Sequence, residues 1–326
     1  MKKLFWKLYR KIYKLPKQVN IEACSICQLN CRDCYMRKTD KETVIGSGYL
    51  KFSDFKNFVE KHPYIESIEL SLSGEIFLNP ELDKIMEFSY NKGVSLTAIN
   101  GVNFNDITDK MLENLVKYQL KSMTIAIDGT SKETYSIYRR KGNFERVIEN
   151  IKKLNEYKKQ YNSIYPLLTW QFIVFEHNKQ EIKNVKDIAK DLGFKRLSFQ
   201  ESWSKEVKIS KKITSSHILL DCPTEIREIY MKEGIGSTCG QLWLSPQINW
   251  NGELLGCCCS TYNSLDTNVF KVGLKNALNS KKSKFMKKVI TGKHTPNETI
   301  ACNKCSIYQN MKEHNSYLNS KKLRFN

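Results

Sequence analysis

Three cysteines near the start of the chain constrain its fold more than any other feature. Cys27, Cys31 and Cys34 stand in the run Cys-Gln-Leu-Asn-Cys-Arg-Asp-Cys, directly after the apolar stretch 19–26. Three thiolates in one loop are one ligand short of the closed tetrahedron of a structural zinc site. An iron–sulfur cube held by three Cys leaves one iron free for a further reactant. The spacing therefore favours a reactive metal centre, with zinc binding or an inert cysteine cluster as the alternatives.

The residues that follow alternate between strand-like and helix-like patterns as far as residue 200. The predicted strands are 19–25, 65–72, 94–99, 122–128, 168–174 and 195–200. The predicted helices are 53–61, 81–91, 106–119, 131–160 and 179–192. Six βα units in a row predict a parallel sheet with right-handed crossovers, whose ligands bind at the carboxyl ends of the strands. The cysteine loop follows the first strand, so we expect it at that face.

Polar motifs follow three of the other strands at the same face. Ser73, Gly74 and Glu75 follow the second strand, where glycine allows close approach of the backbone and the oxygens can accept hydrogen bonds from a cation. Asn100 follows the third strand, and Asp128 follows the fourth.

Together these motifs resemble the radical S-adenosylmethionine (SAM) superfamily. Its C-x3-C-x2-C loop follows the first strand of a partial (β/α)6 TIM-like barrel, as Cys27, Cys31 and Cys34 do here. Ser73-Gly74-Glu75 resembles the family's Gly-Gly-Glu-Pro motif, with Ser in place of the first Gly and Ile76 in place of Pro. Asn100-Gly101 and the run from Asp128-Gly129 to Arg139 resemble further family motifs near the cofactor.

The resemblance implies cofactors and residue roles. Cys27, Cys31 and Cys34 would hold a 4Fe–4S cluster whose open iron binds SAM, and reductive cleavage of SAM would give a 5′-deoxyadenosyl radical that abstracts hydrogen. The residues implied to contact SAM are Ser73, Gly74 and Glu75 at the amino group, Asn100 near the cofactor, and Arg139 at the carboxylate. Asp128 would face cofactor or substrate, or serve only as a turn residue. Asp33 departs from the family pattern, which has an apolar residue there, but it removes no ligand.

A second cysteine set lies in the last third of the chain. Cys239 and Cys257 flank a predicted β-hairpin with its turn at Asn251-Gly252, and Cys302 and Cys305 follow. Four thiolates suit zinc or an iron–sulfur cluster equally well. The pattern resembles the Twitch domain, the shortened relative of the SPASM domain, which implies an auxiliary 4Fe–4S cluster.

Four cysteines remain outside both sets. Buried, non-ligating thiols are expected for Cys24 and Cys222. Cys258 and Cys259 adjoin a predicted ligand, so either could instead bind the cluster or donate hydrogen to a substrate radical.

The 326 residues include eleven cysteines and carry a formal net charge of +19. No apolar run is long enough to span a membrane, so we expect an intracellular, cytoplasmic protein whose cysteines bind metal. The predicted organisation is a basic amphipathic segment (1–18), the barrel (19–200), a linker (201–220), a small cysteine-rich hairpin and helix domain (221–310) and a basic tail (311–326). The positive charge is spread along the chain, which fits a lysine-rich composition better than nucleic-acid binding. Residues 1–17 could contact an anionic membrane or pack on the core as a first helix.

The favoured function is that of a radical SAM oxidoreductase. An auxiliary cluster would take an electron after hydrogen abstraction and so complete the dehydrogenation of a carbinol in a sugar or aminosugar. Its partners would be that small molecule and an electron donor such as flavodoxin or ferredoxin. The alternative is a peptide-modifying maturase or epimerase of the SPASM type. A zinc-stabilised nucleic-acid-binding module is the remote alternative.

Overall fold

A parallel β-sheet is the frame of the molecule. The computed structural model describes residues 2–32, 34, 36, 44–201, 216–220, 239–260, 262–319 and 323. The strands are β1 Gln18–Ile21, β2 Ser67–Glu69, β3 Ser95–Val102, β4 Ser122–Ala126, β5 Leu167–Val174, β6 Arg196–Glu201, β7 Ser216–Leu219 and β8 Gln247–Ile248. They lie in the order β7-β6-β5-β4-β3-β2-β1-β8, in which β1 to β6 are parallel neighbours. The predicted α/β class with six parallel strands is therefore confirmed.

Helices connect the strands and continue through the last third of the chain. They are α1 Lys2–Tyr13, α2 Phe52–Lys61, α3 Leu82–Lys92, α4 Asp109–Lys117, α5 Lys132–Tyr138, α6 Phe144–Gln160, α7 Ile182–Asp191, α8 Gln241–Leu244, α9 Val269–Val272, α10 Leu274–Ala277, α11 Lys281–Ile290 and α12 Ser306–Glu313. Short 3-10 turns lie at Ile76–Leu78, Lys179–Glu181 and Ala301–Lys304. In the described part of the chain, no helix has the length and apolarity needed to cross a membrane.

The prediction of one helix over 131–160 is wrong, because the segment forms α5 and α6. Lys141 between them has a φ of 66°, and Gly142 packs so closely on the ring of Tyr135 that a Cβ atom would lie 2.8 Å from it. Asn143 then begins α6 by accepting a hydrogen bond from the backbone N–H of Arg146.

The core lies between the sheet and the helices. Strand β4 is buried along its whole length, and Trp170 of β5 is fully buried with its Nε1 donating to the carbonyl of Ile127 at 2.7 Å. The amphipathic helices cover the sheet with their apolar faces, as the buried Leu112 and Leu115 of α4 illustrate.

The last third of the chain joins the barrel beside β1. Strand β8 pairs in parallel with β1, and Ile248 also bridges Leu254 in antiparallel fashion, which confirms the predicted hairpin. Gly252 in its turn has a φ of 88°. The buried Asn249 donates to the carbonyl of Ile45 at 2.9 Å, so the hairpin also fixes the segment that follows the cysteine loop.

Two segments predicted as linker and tail contain ordered elements. Residues 216–219 of the predicted linker form β7, which pairs antiparallel with β6. Helix α12 runs to residue 313, and the backbone N–H of Leu318 donates to the carbonyl of Ile290 at 3.1 Å. Main-chain pairing to neighbouring elements orders these polar stretches.

Candidate active site

The loop carrying Cys27, Cys31 and Cys34 follows β1 at the carboxyl edge of the sheet, as predicted. It is held from the side by the end of α5, because Asn30 N–H donates to the carbonyl of Arg140 at 2.9 Å. A second backbone hydrogen bond runs from Arg32 to Tyr138 at 3.2 Å. These main-chain bonds position the cysteine backbone without using the thiols.

Gly74 holds the Ser73-Gly74-Glu75 motif against the start of the cysteine loop. A Cβ atom at this position would lie 2.2 Å from the backbone oxygen of Cys24. The next residue, Glu75, donates its backbone N–H to the carbonyl of Ile26 at 2.8 Å. The glycine predicted for close approach to a ligand therefore allows two backbone loops to touch.

Two of the three cysteine sulfurs receive N–H groups. Asn103 Nδ2 lies 3.6 Å from Cys27 Sγ, and Arg139 Nη1 lies 3.9 Å from Cys31 Sγ. Burial raises the pKa of Cys27 to about 12, so a bound cation would be needed to keep this sulfur a thiolate. N–H donors to sulfur are among the features that tune iron–sulfur clusters, so this donor set fits a cluster held by Cys27, Cys31 and Cys34.

Burial also raises the pKa of Cys31, against the opposing effect of the Arg139 guanidinium. Cys34 is half-buried beside it, and its backbone N–H donates to the carbonyl of Cys31 at 3.4 Å. Within the described ranges, no three Cys, His, Asp or Glu side chains are arranged to hold a single metal ion.

Asp128 and Arg139 form a buried ion pair next to the cysteine loop. Arg139 Nε donates to Asp128 Oδ2 at 2.5 Å, while Asp128 Oδ1 accepts from the backbone N–H of Ile173 at 2.7 Å. Asp128 is fully buried, and its charge raises the pKa of Arg139 further above its usual range although burial opposes it. In this arrangement Asp128 orients Arg139 and does not face the open site. The predicted contact of Arg139 with a carboxylate of SAM stays a prediction.

Glu75 is buried and already hydrogen-bonded to the backbone. Its Oε2 accepts from Asn103 N–H at 2.6 Å, and its Oε1 accepts from Phe77 N–H at 3.4 Å. Burial raises the pKa of Glu75 to about 7. The Glu75 carboxylate thus connects the Ser73-Gly74-Glu75 motif to Asn103, the residue that donates to Cys27. The predicted contact of Glu75 with the SAM amino group stays a prediction.

The other two predicted ligand residues lie nearby. Ser73 is half-buried, and its side chain hydrogen-bonds to Glu22. Asn100 is exposed, with its backbone N–H donating to Ser71 Oγ at 3.1 Å. Ser73 follows β2 at the carboxyl edge of the sheet, whereas Asn100 lies within β3, because this strand runs to Val102 and not only to residue 99 as predicted.

Sequence reasoning missed two buried carboxylates below these loops. Burial raises the pKa of Glu22 to about 8, and Gly74 N–H lies 3.5 Å from its Oε1. Glu69 accepts hydrogen bonds from Ser71 Oγ at 2.6 Å, from Ile99 N–H at 3.0 Å and from Thr97 Oγ1. A glutamate at the end of an apolar strand was the available signal, because an acidic residue there must find several donors.

The second cysteine set also comes together. One cavity of about 530 Å³ is lined by Cys239, Cys257, Cys258, Cys259, Cys302 and Cys305, with apolar side chains around them. Burial raises the pKa of Cys257 to about 12 and also raises that of Cys302. The hairpin and the last 3-10 turn therefore bring the four predicted ligands to the wall of one cavity.

Cys259 approaches the predicted ligand Cys305. Their sulfur atoms are 3.8 Å apart, and Cys258 Sγ lies 4.0 Å from Cys259 Sγ. The hydrogen-bonding interaction with the Cys259 sulfur lowers the pKa of Cys305 to about 6. Six thiols thus line the cavity, two more than the four predicted ligands. Cys24 is buried, as predicted, and Cys222 lies outside the described residues.

Part of the chain matches a known protein family. Residues 21–174 match the family described as the Radical SAM superfamily. The chain is 23% identical over 287 residues to the antilisterial bacteriocin subtilosin biosynthesis protein AlbA of Bacillus subtilis (strain 168), which covers 82% of this chain and 60% of AlbA. The chain thus spans less than two thirds of the length of this relative.

Solved structures share the fold at low sequence identity. Streptococcus suis SuiB bound to S-adenosylmethionine superposes with a TM-score of 0.63 at 13% identity, covering 93% of this chain and 74% of SuiB. The same enzyme bound to its precursor peptide SuiA gives a TM-score of 0.61. Native anSMEcpe with bound AdoMet gives 0.58 at 15% identity, covering 90% of this chain and 87% of that chain.

Proposed function

Because residues 21–174 form a radical SAM superfamily domain, an enzyme domain that uses SAM and a 4Fe–4S cluster, we propose that this chain modifies a peptide substrate. When bound, the cluster and SAM supply a 5′-deoxyadenosyl radical that takes hydrogen from a substrate C–H bond. The observation that carries the radical chemistry is the cysteine loop, where Cys27 and Cys31 each receive an N–H donor and Cys34 lies beside them.

The residues around the loop would keep cofactor and substrate in place. Arg139, held by Asp128, offers a positive charge beside the cysteines for the SAM carboxylate. Glu75 holds Asn103 beside the Cys27 sulfur through a hydrogen bond from the Asn103 backbone N–H. Such buried, hydrogen-bonded side chains hold their geometry while a reactant binds, which limits the access of water to a reactive species.

Two relatives favour a peptide as substrate. AlbA is named for the biosynthesis of a bacteriocin, and SuiB is seen with a precursor peptide. Both are similar to this chain over more than four fifths of its length. We therefore set the alternative of the sequence analysis, a peptide maturase, above dehydrogenation of a sugar carbinol.

The cysteines of the last third support an auxiliary cluster in the same enzyme. Cys239, Cys257, Cys302 and Cys305 line one cavity and would hold it, with Cys259 as a competing ligand. The cluster would accept or pass on an electron during substrate oxidation.

The test is substrate-dependent cleavage of SAM. The protein would be reconstituted anaerobically with iron and sulfide, reduced, and incubated with SAM and either peptides encoded beside its gene or a panel of sugars and aminosugars. We expect 5′-deoxyadenosine to form with one peptide, whose mass falls by two hydrogens per new linkage or stays constant on epimerisation. Formation of 5′-deoxyadenosine with a polyol alone would reject the peptide and support the carbinol.

Cys31 and Cys24 provide a matched pair of variants. Cys31→Ala should lose about four irons per chain and all SAM cleavage, because it removes a ligand of the first cluster. Cys24→Ala should keep both, since Cys24 is buried and its thiol points to the carbonyl of Ile26 at 3.8 Å. Equal iron contents in the two variants would contradict the assignment of the loop.

A further inference from the structure

Helix α1 is docked on the body through one face only. Trp6 and Tyr9 pack on Tyr64, with ring centroids 6.1 and 6.0 Å apart. Lys275 Nζ lies 3.3 Å from the centroid of the Tyr13 ring. These contacts fix the rotation of the helix, so its other face has a defined direction.

The outward face is apolar. Successive turns place large aliphatic and aromatic side chains on it, and we call this set the apolar stripe: Leu4 is 72% exposed, Phe5 59%, Leu8 57% and Ile12 63%. Single exposed apolar residues are ordinary, but a row of four on one helix face marks an interaction surface.

Basic residues border the apolar stripe. Residues 1–17 contain seven basic and no acidic side chains. Lys7 and Lys11, which flank the stripe, are exposed, and so are Lys61 and Lys271 on the neighbouring surface. A second copy of this chain laid on the stripe would bring these lysines together, and their repulsion would oppose it. Anionic lipid headgroups would neutralise them while the stripe enters the acyl region.

We propose that α1 binds the chain to the surface of a membrane containing anionic phospholipid, with the apolar stripe inserted and Lys7 and Lys11 at the headgroups. The proposal is independent of the peptide-modifying function. Helix α1 precedes the amino end of β1, whereas the cysteine loop follows its carboxyl end. A membrane at α1 therefore leaves the active-site face open to substrate.

Vesicle flotation tests the proposal with the full chain. Anaerobically purified protein is mixed with vesicles of phosphatidylserine and phosphatidylcholine, or of phosphatidylcholine alone. We expect flotation with the anionic vesicles, weakened by added salt, and little with the neutral ones. Flotation that is equal on both vesicles and insensitive to salt, or absent from both, would overturn the proposal.

Variants separate the two contributions. Lys7→Gln/Lys11→Gln should weaken binding about 25-fold, roughly fivefold per lysine, the equivalent of about 1 kcal/mol for each basic residue near an anionic surface. Leu4→Ser/Leu8→Ser/Ile12→Ser should abolish flotation. The matched control is Tyr90→Ser/Ile164→Ser, which removes two exposed apolar side chains elsewhere and should bind like the original chain.

Folding and self-association are checked on the same samples. Circular dichroism and iron content should be unchanged in every variant, because the substituted side chains are exposed. If sedimentation velocity without lipid finds a dimer that the stripe variant loses, a second copy covers the stripe and the membrane proposal is wrong.

Discussion

At the scale of single residues, several residues of the site have neighbours so close that another side chain would not fit or would lose its partner. Gly74 lies where two backbone segments come too close together to leave room for the methyl group of an alanine. Asp128 and Arg139 neutralise each other in an ion pair in which Asp128 is fully buried and the Arg139 side chain is 12% exposed. Such residues act on the cysteines through geometry, so their substitution should affect cluster binding as well as stability.

Gly74→Ala should cost about 1–3 kcal/mol of unfolding free energy, the usual range for overpacking, because its Cβ would meet the Cys24 carbonyl. It should also lower iron content and SAM cleavage. Gly93→Ala is the control: its φ of 70° makes alanine unfavourable by roughly 1–2 kcal/mol, but no atom lies within 4 Å. Denaturant titration and iron assays measure both. Retention of full iron by Gly74→Ala would contradict the close-contact argument.

Asp128→Asn should cost about 3–5 kcal/mol, because it leaves the Arg139 charge buried without its partner. Replacing both residues, as Asp128→Asn/Arg139→Met, should recover part of that loss, since the unpaired charge is removed. Denaturant unfolding of the single and double variants decides the point. A double variant no more stable than Asp128→Asn would show that the ion pair is not the main contribution.

At the scale of elements, helix α2 is joined to the last third of the chain through His62. Its Nδ1 donates to the carbonyl of Phe58 at 2.7 Å, and its Nε2 accepts from Leu274 N–H, at the start of α10, at 3.0 Å. Both bonds exist together only in the neutral ring. Burial accordingly lowers the pKa of His62 below its usual value of 6.5.

The contribution of His62 to stability should therefore fall as the solution is acidified below pH 6.5, because the unfolded chain takes up a proton that folded His62 resists. The loss can reach about 1.4 kcal/mol per pH unit between the unfolded and folded pKa values. His62→Gln should remove this contribution from the profile of unfolding free energy against pH, while the opposite contributions of the buried Glu22 and Glu75 remain in both proteins. His177, whose pKa is also lowered by burial, remains in both proteins, so the difference isolates His62. Parallel profiles would refute the assignment.

Local patterns in the sequence predict the barrel elements well and their long-range partners poorly. The six parallel strands follow from short apolar runs that each carry their own signal. The break between α5 and α6 escapes prediction because it depends on the contact of Gly142 with Tyr135. Buried Glu22 and Glu69 escape it too, since their donors come from other strands. The cysteines and Gly74 could be found from their spacing and their place after predicted strands, and Arg139 from the resemblance to a known family. The pairing of Arg139 with Asp128 could not be predicted from either.

At the scale of the whole molecule, the barrel and the cysteine-rich region share one hydrophobic core. Strand β8 covers the outer edge of β1, and Leu242, Ile248 and Leu254 are fully buried in the common core. Asn249 and Trp250 bind the carbonyl of Ile45, just beyond the cysteine loop.

A chain that ends at residue 201 should therefore fail to fold into a stable monomer. It would expose the edge of β1 and the apolar surface that β8 covers, and unpaired strand edges promote aggregation. Size-exclusion chromatography and thermal unfolding test this, with the full chain as reference. A monomeric fragment that melts cooperatively and binds iron would show that the barrel is independent.

The pairing of β1 with β8 also has a consequence for biogenesis. Residues 18–21 leave the ribosome long before residues 247–248 are translated. Strand β1 therefore has no β8 to pair with during most of synthesis. Until then the hydrogen bonds from Asn249 and Trp250 to the carbonyl of Ile45, just beyond the cysteine loop, cannot form. We therefore expect the iron-delivery machinery to act on finished, released polypeptide, and nascent chains to carry no iron.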